Sequence, residues 1–102
     1  MTDPSQVPSA IGELGSFTWS SKESVAYEAA IEAINGAVGA FSARIAAEEA
    51  KASADAAVIA EAEAGQAECA RAREDLDPAN HQQVAEVRAR FAALAAEIRG
   101  AQ

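Results

Sequence analysis

Chemically capable side chains are densest in residues 74–81, where Glu74, Asp75, Asp77, Asn80 and His81 fall close together. Carboxylate, amide and imidazole are the donor types of a divalent-cation site. His81 beside acids is also the pairing used to move protons. Cation binding needs several of these groups to converge, and their order matches neither an EF-hand loop nor an HExxH helix. Asp77-Pro78 is instead the pair expected where a helix begins, with the acid as N-cap and proline at the first helical position. The cluster therefore reads as the capped turn between two helices, and no metal site is expected.

The remaining candidates are weaker. Cys69 is the sole cysteine, which excludes an intramolecular disulfide and a cysteine-based zinc site. As a nucleophile it would need a base, and His81 is the sole histidine. Cys69 stands between Glu68 and Ala70 in a helical pattern, so it is expected to be a small packing residue. The paired acids Glu48/Glu49 and Glu61/Glu63 have no apolar pocket in sequence that would raise a carboxyl pKa for acid–base work. No glycine loop cradles a phosphate and no serine elbow is present. The sequence is thus expected to encode no enzyme, with no catalytic residue and no cofactor.

The elements behind these residues are helical. Tyr27, Ile31, Ile34, Val38, Phe41 and Ile45 recur in steps of three and four, and Ser20 with Glu23 has the spacing of a capping box. This predicts a first helix over 21–51. Gly36 and Gly39 interrupt it in composition but not in periodicity. Each costs up to about 1 kcal/mol in a helix interior, so a closely packed neighbour is expected at Gly36, Gly39, Ala40 and Ala43. An ordinary bundle contact and a dimer seam are both open there. A break is expected near 51–54, with Ser53 as N-cap, because an unbroken helix would leave the stripe without an intrachain partner.

A second helix over 54–75 is alanine-rich and acidic. A third over 78–99 repeats the stripe in Val84, Val87, Phe91, Leu94 and Ile98, carries a Glu86–Arg90 pair, and ends at Gly100. The fold class is all-α: a small three-helix bundle, with Ile31, Ile34, Val38, Phe41 and Ile45 meeting Val84, Val87, Phe91, Leu94 and Ile98. The alternative is one long helix with a shorter antiparallel helix, dimerising. Residues 1–19 read as an irregular leader and 20–100 as the bundle, since Pro4, Pro8, Gly12 and Gly15 are breakers. Phe17 and Trp19 in that leader either staple onto the first helix or dock into a partner.

Composition bounds the function. The 102 residues suit one domain, and alanine supplies much of the 50% apolar content. Few large side chains make a thin core, which favours tight packing or self-association. The net charge of −8 disfavours nucleic-acid backbones and anionic membranes. No apolar run is long enough to span a bilayer and the N-terminus lacks a signal pattern, so the cytoplasm is the expected location. The leading expectation is a bacterial interaction protein, adaptor or accessory subunit, acting as a homodimer or on another protein through Phe17, Trp19, Gly36, Gly39, Ala40 and Ala43. Alternatives are an acidic inhibitor of a basic target, antitoxin-like or mimicking DNA, and a secreted helical effector. No small-molecule substrate is evident.

Overall fold

The computed structural model describes residues 6–101, with side chains from 21 onward. Three helices follow in order: α1 (Gln6–Glu49), α2 (Ala56–Asp75) and α3 (His81–Gly100). No strand occurs among the described residues. The expected three-helix bundle is what forms, in a body measuring 74 × 24 × 20 Å. That length reflects α1, whose 44 residues extend about 66 Å at the usual rise per residue.

α1 starts earlier than the capping box suggested. It crosses the expected boundary at 19/20 without a break, so Ser20 lies inside the helix rather than ahead of it. Pro8 falls in the first turn, where a missing N–H has no intrahelical acceptor to lose. Gly12 and Gly15 weaken a helix without removing its hydrogen bonds. The side chains of Phe17 and Trp19, and any staple they form, lie outside the described residues.

The break after α1 falls where expected, but its chemistry differs. Asp55, not Ser53, is the N-cap of α2, its carboxylate accepting from the Ala57 N–H at 2.9 Å. Glu48 turns inward, 7% exposed, and accepts from the Asp55 N–H at 3.0 Å and from Lys51 Nζ at 2.7 Å. The hydrogen bond from Lys51, followed by that from Asp55, holds its carboxyl below the ordinary value. A charged residue standing where the apolar stripe would have continued thus ties the end of α1 to the start of α2.

The second turn is also shifted. Asn80, not Asp77, caps α3, accepting from the Gln83 N–H at 3.0 Å. Asp77 closes a preceding turn instead: its side chain accepts from the Ala79 N–H and its carbonyl from the Asn80 N–H, both at 3.0 Å. Pro78 therefore lies within this turn rather than at the first helical position. Gly100 is the last residue of α3, and no described glycine has a positive φ.

α2 and α3 each pack on α1. α2 runs antiparallel to it: Gln66 reaches the Val38 carbonyl and the Ser42 hydroxyl, and Arg73 reaches Asn35 nearer the start of α1. α3 runs alongside in the same sense, from His81 against Glu23 to Arg99 on the Gly36 carbonyl. Arg90 bridges to Glu68 on α2 rather than to Glu86, so the expected i, i+4 pair is not made. Glu86 accepts from Gln82.

The two stripes meet, in part through alanine. Ile34 and Phe91 are fully buried, with Ala37, Ala40, Cys69, Ala95 and Ile98 around them. Val38, Phe41, Val87 and Leu94 border that cluster. Ala30, Leu76 and Val84 form a second cluster, flanked by Tyr27 and Ile31. Ile45 is half-buried. Small residues let the helix axes approach closely, which is how so few large side chains close a core.

Candidate functional site

Among the described residues, Cys69, His81 and the acids of 74–81 are not brought together at one point. Cys69 is buried in the core beside Phe91 and Ile34, and burial pushes its thiol pKa up, away from the thiolate that reacts. His81 sits elsewhere, at the start of α3, with its Nε2 3.0 Å from a Glu23 carboxylate oxygen. The Asp77 and Asn80 side chains are occupied in closing the turn. Gln83 donates to the Asp75 carbonyl at 3.0 Å and accepts from the Asp77 N–H at 2.7 Å. Among the described residues no group of three metal-ligand side chains is close enough to hold an ion. No described helix is long and apolar enough to cross a membrane.

What remains is surface, and its most distinctive part is the outer side of α1. Helical geometry places Val25, Ala29, Glu32, Gly36, Gly39 and Ala43 on one line in steps of four and three, opposite the buried Ile34–Ala37 side. Val25 is a large hydrophobic residue left 67% exposed. A Cβ added at Gly36 or Gly39 would meet nothing within 4 Å. Neither glycine is therefore needed for packing inside this chain.

The anticipated residues of this surface separate. Gly39 and Ala43 are exposed and Gly36 is half-exposed, all on the outer line. Ala40 is 1% exposed and belongs to the core, so it is not available to a partner. The rotation of 100° per residue that separates Ala40 from Gly39 turns it toward the buried side. The glycine on which packing depends is Gly65 of α2, against which the Phe41 ring of α1 lies. Sequence reasoning passed over it because no large residue stands near it in the chain.

The chain matches no family model, no curated protein and no solved structure.

Proposed function

We propose that this chain is a non-enzymatic interaction protein, an adaptor or accessory subunit whose α1 outer face receives a helix from another protein chain. The observation behind this is the open glycine pair. Each of Gly36 and Gly39 weakens α1 by up to about 1 kcal/mol relative to alanine. A Cβ at either position would meet nothing within 4 Å, so no packing within the chain calls for glycine there. A second helix seated between Val25 and Ala43 would offset that cost, because a surface without side chains allows close backbone approach. The reading has the chain act in the cytoplasm, where a free thiol such as Cys69 stays reduced.

The substitutions Gly36→Leu and Gly39→Leu test this directly, since open space lets both fold. Helical content should be kept and thermal stability kept or raised, because leucine is the better helix former. Sedimentation at tens of micromolar reports whether the occupant is a second copy; a dimer should dissociate in both variants. If the parent is a monomer, a photo-crosslinker at Ala43 should capture a host protein that Gly39→Leu no longer captures. A monomer whose captured proteins all survive both substitutions would overturn the proposal.

One observation favours a second reading. Glu61, Glu63, Glu68, Glu74 and Asp75 are all exposed along α2, which suits an inhibitor of a basic target. Such binding should weaken steeply with salt, whereas a small-residue seam should tolerate it.

A further inference from the structure

A different surface lies between α1 and α3 at the end where α3 begins. Running side by side in the same sense, the two helices leave a furrow holding a cavity of about 540 Å³. Its floor is Ala26 of α1 with Val84, Ala85, Ala89 and Ala92 of α3. One cation stands on each wall, Lys22 from α1 and Arg88 from α3, both exposed. Neither forms an ion pair among the described residues, in a chain with 16 acids to choose from. Glu23, His81 and Pro78 complete the lining, with the Glu23 carboxylate 3.0 Å from His81 Nε2.

We infer that this furrow seats an acidic amphipathic helix of a partner protein, independently of the outer face of α1. Shape and charge both select that occupant. The stretch from His81 to Ala92 is about 17 Å long, three turns of helix. Its alanine floor lets an incoming axis come within about 8 Å. Aliphatic side chains of the incoming helix fill the furrow, and carboxylates on its flanks meet Lys22 on one side and Arg88 on the other. A basic helix meets like charge at Lys22 and Arg88, while the Glu23 carboxylate is held by His81.

Three synthetic helical peptides of about 14 residues test the assignment by fluorescence anisotropy and amide chemical shifts. The first has a leucine face flanked by glutamates, the second replaces the glutamates with lysines, and the third replaces the leucines with serines. Only the first should bind, shifting the amides of Ala85, Ala89 and Ala92. Lys22→Glu and Arg88→Glu should each weaken it about fivefold, as expected for reversing one exposed ion pair. Ala89→Arg should block the furrow and abolish binding. Gly36→Leu should leave binding unchanged, so failure here is separable from failure of the outer-face reading. Equal binding of the acidic and basic peptides, or no binding of either at about 1 mM, would overturn the inference. So would laurate shifting the same amides where no peptide does, which would make the furrow a lipid site.

Discussion

Gly36 and Gly39 on one side and Gly65 on the other make opposite predictions under the same substitution. Replacing a helical glycine with alanine gains up to about 1 kcal/mol, from lower unfolded-state entropy and better propensity. That gain is common to Gly36, Gly39 and Gly65, so it cancels when the sites are compared. Space does not cancel. At Gly36 and Gly39 the new methyl enters solvent. At Gly65 it would lie 2.7 Å from both Cε1 and Cε2 of Phe41, with Cζ nearer still. Carbon atoms rest at about 3.5–4.0 Å, so the ring must retreat by about 1 Å, and overpacking of this kind costs about 1–3 kcal/mol. Gly36→Ala and Gly39→Ala should each raise Tm by a few degrees. Gly65→Ala should lower it, leaving a gap of about 1–3 kcal/mol between the sites. Thermal melts followed by circular dichroism read the sign, and urea titration gives the magnitude. Adding Phe41→Leu should restore part of the loss in the Gly65→Ala background, because the shorter side chain withdraws from the new methyl. A double-mutant cycle isolates that coupling. If all three alanines stabilise equally, or Phe41→Leu brings no relief, the packing of Phe41 on Gly65 is not what closes α1 on α2.

Other expectations follow from single residues. Phe91→Ala should destabilise by about 3–5 kcal/mol, since its ring is fully buried between α1 and α2; a melt matching the parent would contradict this. Asn80→Ala should cost about 1 kcal/mol through loss of the α3 cap, and amide exchange should show Gln83 less protected. Glu48 makes stability depend on pH. Its folded pKa is lowered, so its contribution is present above the unfolded value of about 4.5 and is lost as pH falls through the lower folded value. Glu48→Gln should therefore flatten the stability curve over that acid range, and an unchanged acid limb would show the carboxylate to be idle.

Much of the architecture was legible in the chain, because helical periodicity is a local signal. Ile34, Phe91, Val84 and Ile98 announce their buried faces by steps of three and four, and the break after α1 follows from the stripe's need for a cover. Position 20 was misread because a capping box is also local. It marks where a helix is able to start, and nothing in it prevents an upstream turn from continuing through. Asp77 and Asn80 show the same limit, since both residues suit a cap and the turn geometry chose between them. Other features belong to the tertiary structure alone. Alanine carries no sequence signal of burial, so Ala30, Ala37, Ala40 and Ala95 became core only when α3 settled against α1. Glu48 turned inward because Asp55 and Lys51 came within reach to satisfy its charge. Gly36 and Gly65 are the same residue in similar alanine-rich helices. One faces open space and the other an aromatic ring, because the placement of a neighbouring helix is decided by packing among residues far apart in the chain.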